Sequence, residues 1–256
     1  MTKTTSFDFS NYSGEEFADH IAKSIPNYNG MRETLPMIAE NFLVKNSNIY
    51  DIGCSAGDLL LQLHHEFKDF NNDLSYIGYD IAERLLPKTS PNGVNFFNRD
   101  VTEESLTMFN TSLVFSLFTL QFIPLDKRTK LVKKIYSSLS KRGAFIVCEK
   151  VYSSYGITED IFTFANYKMK ADNDFSAEEI LIKQDDLKHI MFPLSQAENE
   201  KMFKDAGFKV VEVFFKSLNF KFLYKKRLGN LFFIFFPIIS VSISLSKPIT
   251  LVPLYF

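Results

Sequence analysis

Apolar residues along this chain follow two alternating periods. Short apolar runs at 48–52, 75–79, 94–97, 113–117 and 143–148 have strand character. Between them, apolar positions recur every three or four residues, as in Leu59, Leu60, Leu63 and Phe67, and again over Leu131–Leu139. Upstream, Ser13-Gly14-Glu15-Glu16 opens a helix, with serine as cap and acids in the first turn, that runs to about Ser24 and ends at Pro26. A second helix is expected near Met31–Leu43, and Asn46–Ser47 turns the chain into the first strand. Strands alternating with helices at this spacing build βαβ units, so the expected class is α/β with a mainly parallel sheet.

Residues 153–192 break the rhythm with two helical patterns, Ile157–Lys170 and Ser176–Met191, the second opened by the capping box Ser176-Ala177-Glu178-Glu179. A third, Ser195–Ala206, is stopped by Gly207. Lys209–Phe215 and Leu218–Tyr224 then read as a hairpin that closes the sheet with an antiparallel edge. The expected organisation is a poorly ordered 1–12, a domain over 13–227 with a helical lid at about 153–200, and an apolar extension over 228–256.

The extension has a pattern of its own. From Leu228 to Ser246 no charge occurs, and Lys225-Lys226-Arg227 flank the run, which makes it a borderline membrane span with a basic border on the cytoplasmic side. Pro237 interrupts it, and residues 240–246 alternate at the period of a strand. Membrane contact, an added strand, a dimer arm and a cover for an apolar patch all stay open.

Composition narrows the function classes. A chain of 256 residues buries one good core with an appendage. Its 29 basic and 30 acidic residues nearly cancel, and no basic stripe interleaved with aromatics argues for direct nucleic-acid binding. Two cysteines, Cys54 and Cys148, make a disulfide framework improbable and suit a reducing, cytoplasmic setting, as does a polar start without a signal-peptide core. His20, His64, His65 and His189 lack neighbours at ligand spacing, so no metal site is expected.

The chemistry concentrates in Asp51-Ile52-Gly53-Cys54-Ser55-Ala56-Gly57, a small-residue turn between an apolar strand and an amphipathic helix. Glycines at 53 and 57 permit positive φ and close approach of a ligand to the backbone. The helix behind the turn offers free N–H groups and a positive dipole end. Asp51 can accept from a ligand ammonium. Asp80, at the end of the second strand, can accept from two ribose hydroxyls. Asp100, at the end of the third, can accept from an adenine amino group, with Val101 beside the ring. A dinucleotide site requires G-x-G-x-x-G, but here serine stands at 55 and aspartate at 58. The spacing suits one amino-acid head without a pyrophosphate, and the expected ligand is S-adenosyl-L-methionine.

These residues, with Phe118-Thr119-Leu120-Gln121-Phe122-Ile123, Ile135-Tyr136, Gly143 through Lys150, Ile25-Pro26-Asn27-Tyr28, Ala206-Gly207-Phe208 and Asn219-Phe220, resemble the carboxy-S-adenosyl-methionine synthases, a branch of the class I methyltransferases. The resemblance covers roughly residues 12–225 and implies a Rossmann-like, seven-stranded fold and a homodimer. It also implies transfer of a carboxyl-bearing carbon from prephenate onto S-adenosylmethionine, in the service of wobble uridine modification in transfer RNA. Carried over by residue, Tyr28 contacts the cofactor, and Gly53, Cys54 and Ser55 hold its methionine end. Asp80 and Ile81 hold its ribose, and Asp100 and Val101 its adenine.

Two positions depart from the family. Leu117 stands where the family has asparagine, and Gln184 where it has a lid arginine, with Lys183 adjacent. A neutral amide is a poorer clamp for an added carboxylate than a guanidinium. The expectation is therefore a methyltransferase acting on a small-molecule acceptor, with carboxy-S-adenosyl-methionine synthesis as the alternative. No catalytic residue is assigned. Glu149, Tyr152 and Tyr155 could deprotonate a poor acceptor, and Phe162, Phe164 and Tyr167 could stack on an aromatic one, but packing is the commoner role for all six.

Overall fold

The computed structural model describes residue 9 and residues 12–226. The expectations for the rest of the N-terminal stretch and for the extension over 228–256 therefore lie outside the described residues.

Helix α1, Gly14–Ser24, starts on the anticipated serine cap, which the structure shows to be a full capping box: the Ser13 side chain accepts from the Glu16 N–H, and the Glu16 carboxylate accepts from the Ser13 N–H at 2.9 Å. Helix α2, Tyr28–Ala39, begins three residues before the expected start and ends in a short 3-10 turn, Glu40–Phe42. Strand β1 (Ser47–Ile52) and helix α3 (Asp58–Glu66) flank the small-residue turn. Then follow β2 (Leu74–Asp80), β3 (Val94–Asn98), β4 (Thr111–Leu117), α4 (Leu125–Ser138) and the long β5 (Leu139–Tyr152). The lid helices are α5 (Gly156–Asp172) and α6 (Ala177–Leu187). A two-residue β6 (Leu194–Ser195), α7 (Gln196–Asp205), β7 (Val210–Ser217) and β8 (Phe220–Lys226) complete the described chain.

The sheet runs β3-β2-β1-β4-β5-β8-β7, parallel from β3 to β5 and antiparallel at the β5-β8-β7 edge. Seven strands form this path, as expected, and β6 is an extra two-residue pairing on the end of β5. Alternate residues of the central strands feed opposite faces, the period-2 consequence of the pleat. Ile49, Leu113, Phe115, Ala144 and Ile146 pack with α2 and α3 on one face. Tyr50, Ile52, Val114, Phe145 and Val147 pack with α4 and α7 on the other. Each large apolar side chain so buried stabilises the domain by about 1.5–3 kcal/mol relative to exposure. A third, smaller cluster joins Phe17 of α1 to Ala82 and Leu85, with Phe9 and Tyr12 against it.

Strand β1 sits between β2 and β4, so the chain leaves it on one side and returns on the other. The crevice beyond the carboxyl ends of these strands is where an open α/β sheet takes its ligand, and the Asp51–Gly57 turn, between β1 and α3, borders it. Among the described residues no helix is long and apolar enough to cross a membrane.

Candidate cofactor cavity

The crevice holds a cavity of about 300 Å³, in the range of small-molecule sites. Its floor is the turn after β1. Gly53 has φ +75°, and a Cβ there would stand 2.1 Å from Thr119 Oγ1. The N–H groups of Gly53 and Cys54 both donate to the Tyr79 carbonyl, at 2.7 and 3.1 Å, which binds the turn to the end of β2. Ser55 is held at φ +50°, an uncommon region for a non-glycine residue, and its N–H donates to Asp80 Oδ2 at 2.8 Å. The other Asp80 oxygen accepts from the Ala82 N–H at 2.8 Å. One carboxylate thus joins two loops, and backbone donors offset part of the rise that burial imposes on its pKa.

Asp51 is the unusual group. It is 3% exposed, it lines the cavity, and its Oδ1 has no hydrogen-bond partner among the described residues. Burial pushes its pKa up to about 7, with Arg32 pulling the other way and Asp80 adding to the rise. A buried acceptor left empty costs about 1–3 kcal/mol or more, and a ligand ammonium would satisfy this one. Pro36 keeps Arg32 in place. Lacking an N–H, it leaves the Arg32 carbonyl without its helical donor; the Gln62 amide donates to that carbonyl at 3.3 Å, while the Arg32 guanidinium donates back to Gln62 Oε1 at 2.8 Å.

Of the residues expected at the site, Tyr28, Asp51, Gly53, Cys54, Ser55, Asp80, Ile81, Asp100, Val101 and Leu117 all line the cavity. Asp100 turns its loop by accepting from the Thr102 N–H at 2.8 Å, and Ile81 is 70% exposed at the rim. Gly57 does not line the cavity. It caps α3 at φ +73°, with Phe96 and Pro87 filling the space a Cβ would take.

The roof was less foreseeable. Helix α1 brings Phe17, His20, Ile21 and Ser24, and residue Phe9 lies beside them. From α5 come Asn166 and Lys170, one turn apart, while Phe162, Phe164 and Tyr167 are not among the lining residues. From α6 come Lys183, Gln184 and Leu187, so the cation at 183 lines the cavity together with the amide at 184. None of the three side chains considered as bases lines the cavity. Glu149 is buried at 3% exposure and accepts from the N–H groups of Leu120 and Gln121 at 3.0 and 2.8 Å, capping the 3-10 turn after β4. Tyr152 and Tyr155 are exposed. Among the described residues no group of three His, Cys, Asp or Glu is placed to hold a metal ion.

Comparison with known proteins agrees with this geometry. A methyltransferase domain model matches residues 49–143, the stretch from β1 to the start of β5 that carries the floor. A carboxy-S-adenosyl-L-methionine synthase of Campylobacter hominis is 36% identical over 86% of this chain and 94% of its own length. One from Staphylococcus epidermidis is 31% identical over 82% and 92% respectively. Among solved structures, a chain from the complex between the Haloferax volcanii Trm112 methyltransferase activator and a methyltransferase candidate superposes with TM-score 0.58 at 13% identity, covering 87% of this chain and 99% of that one.

Proposed function

For a chain that belongs to the carboxy-S-adenosyl-L-methionine synthase family, and is an S-adenosylmethionine-dependent transferase, we propose that its reaction is formation of the carboxylated sulfonium with prephenate as donor. The observation that carries this reading is the match to carboxy-S-adenosyl-L-methionine synthases over more than nine-tenths of their length; the unpartnered Oδ1 of buried Asp51 on the cavity wall supports the S-adenosylmethionine site on which it depends.

When bound, S-adenosylmethionine supplies a carbon activated by the sulfonium. The residues of this chain do the rest. Asp51 accepts from the amino-acid head, Gly53, Cys54 and Ser55 border the methionine end, and Tyr28 and Leu117 close over it. Asp80 and Ile81 take the ribose, and Asp100 and Val101 the adenine. Binding draws Asp51 into its charged form, because an ammonium partner replaces the water that burial removed. The roof of α1, α5 and α6 keeps bulk water from the reacting carbon. A cytoplasmic homodimer belongs to the same proposal; the two buried free cysteines suit a reducing compartment.

Leu117 and Gln184, both on the cavity wall, favour a second reading, methyl transfer to a small-molecule acceptor. Mass spectrometry of products after incubation with S-adenosylmethionine and prephenate separates the two. A carboxylated sulfonium nucleoside is expected. Recovery of only the unmodified cofactor and its demethylated product would overturn the first reading.

A further inference from the structure

Gln121 has every polar atom engaged but one. It sits in the 3-10 turn Leu120–Phe122 after β4, is 5% exposed and lines the cavity. Its backbone N–H donates to Glu149 at 2.8 Å, and its backbone carbonyl accepts from the Phe192 N–H, beyond the end of α6, at 2.7 Å. Buried Arg128 fastens the same two segments, donating to the carbonyls of Ile123 at 2.8 Å and Phe192 at 3.1 Å. The side-chain oxygen of Gln121 accepts from the Lys150 N–H at 3.0 Å. Turned end for end, the carboxamide would set two donors against each other, so its orientation is fixed.

What remains is the NH2 group. It has no hydrogen-bond partner among the described residues. Nor is it sealed in: among the described residues, enclosed side-chain polar atoms without a partner occur only in Asp51, Ser116, Ser140 and Asn219. The open space beside this nearly buried residue is the cavity. A donor held this firmly, with nothing of the protein to donate to, is preorganised for an acceptor on a ligand.

Strand order indicates which ligand. Asp80 ends β2 and Asp100 follows β3, both on one side of β1, whereas Gln121 follows β4 and bonds to β5 on the other. The acids are acceptors, matched to the ammonium, hydroxyl and amino donors of the cofactor. Gln121 is the opposite, a neutral donor over the strand ends that none of the three acids occupies. We propose that Gln121 is a substrate-binding residue: its Nε2 donates to an oxygen of the second substrate and holds that substrate beside the activated carbon of the cofactor. This role rests on the carboxylated-sulfonium reading and deepens it, by naming a residue that orients the donor.

Kinetics of the full chain with prephenate at saturating S-adenosylmethionine, on two variants, test this. Gln121→Glu keeps an oxygen for the Lys150 N–H and replaces the free donor with an acceptor. Gln121→Met removes both without adding charge. Each is expected to lower kcat/KM for prephenate about tenfold, chiefly through KM, while S-adenosylmethionine affinity by calorimetry stays within about threefold. A purely structural role predicts otherwise: the glutamate variant, which keeps the Lys150 bond, would behave as wild type. That result, a loss confined to the charged variant, or a matching loss of cofactor affinity would overturn the role.

If a variant does not fold, a crystal structure of the wild type with the demethylated cofactor and prephenate decides. A prephenate oxygen within about 3.2 Å of Gln121 Nε2 is expected; water in that place would overturn the role. Carboxylated product formed with undiminished efficiency by both variants removes the role and leaves the proposed function standing. A wild type that binds prephenate without forming that product, in which both variants weaken the binding, sinks the proposed function and leaves the role standing. A wild type that neither binds nor converts prephenate overturns both.

Discussion

The floor and the roof of the one cavity are built by different means. On the floor, the backbone fixes the charged groups, Asp80 by two N–H donors and Asp100 by its own turn, and it fixes the turn itself through the carbonyl that Gly53 and Cys54 share. On the roof, charged groups arrive on separate helices, and what orients them is packing. Each of the three acids is set at its strand end by local structure, and strand order brings them together. Only the finished tertiary structure brings Lys150, Lys170 and Lys183 to one cavity. The floor carries Asp51, Asp80 and Asp100, and the lid helices carry Lys170 and Lys183, so the two halves should fail differently.

The largest effect is expected at the turn itself. Gly53→Ala forces a side chain into the left-handed region and into Thr119. Strain and overpacking together should cost about 2–4 kcal/mol, read as a lower urea midpoint, with loss of S-adenosylmethionine binding.

Asp51→Asn should weaken S-adenosylmethionine about 10–100-fold by removing a charge-assisted bond, yet stabilise the free protein at neutral pH. The sign follows from linkage. The folded pKa of Asp51, about 7, lies above its ordinary value of 3.8. Its contribution is therefore favourable at low pH and is lost as pH rises through that window. Wild-type affinity for the cofactor should rise with pH up to about 7, and the rise should vanish in the variant, as calorimetry at several pH values would show.

Glu149→Gln separates support from chemistry. It should cost about 1.5–3 kcal/mol in thermal or denaturant unfolding, because one of two backbone N–H groups loses its charged acceptor. The pH profile of the reaction should keep its shape, since Glu149 does not line the cavity. A profile that loses a limb would return Glu149 to the list of bases.

The smallest effect is on the roof. Ser13→Ala removes the cap of α1 and should cost about 1 kcal/mol. Cofactor affinity should stay nearly unchanged, since α1 lines the roof and not the floor. A matching loss of cofactor affinity would erase the distinction between floor and roof.

What the sequence disclosed follows the same division. The serine cap at Ser13 and the capping box at Ser176 are local rules, and both helices start there; the structure adds a third box at Ser195, where a helix was expected from its periodicity. The strand ends bearing Asp51, Asp80 and Asp100 follow from periodicity, and their convergence follows from strand order. Gly57 satisfied the motif but serves as a helix cap, because a permissive φ is needed for turning as often as for ligand approach. The roof lysines carried no local signal; Lys170 and Asn166 are only one turn apart on a helix whose bulkier aromatics drew attention. The β6 pairing is two residues long and too short for any period.

The most direct measurement is mass spectrometry of the small molecule that stays with the protein through purification from cells. An S-adenosyl compound bearing an additional carboxyl group is expected. A preparation that carries no adenosyl compound, and takes up no S-adenosylmethionine when it is supplied, would contradict the reading of the cavity at its root.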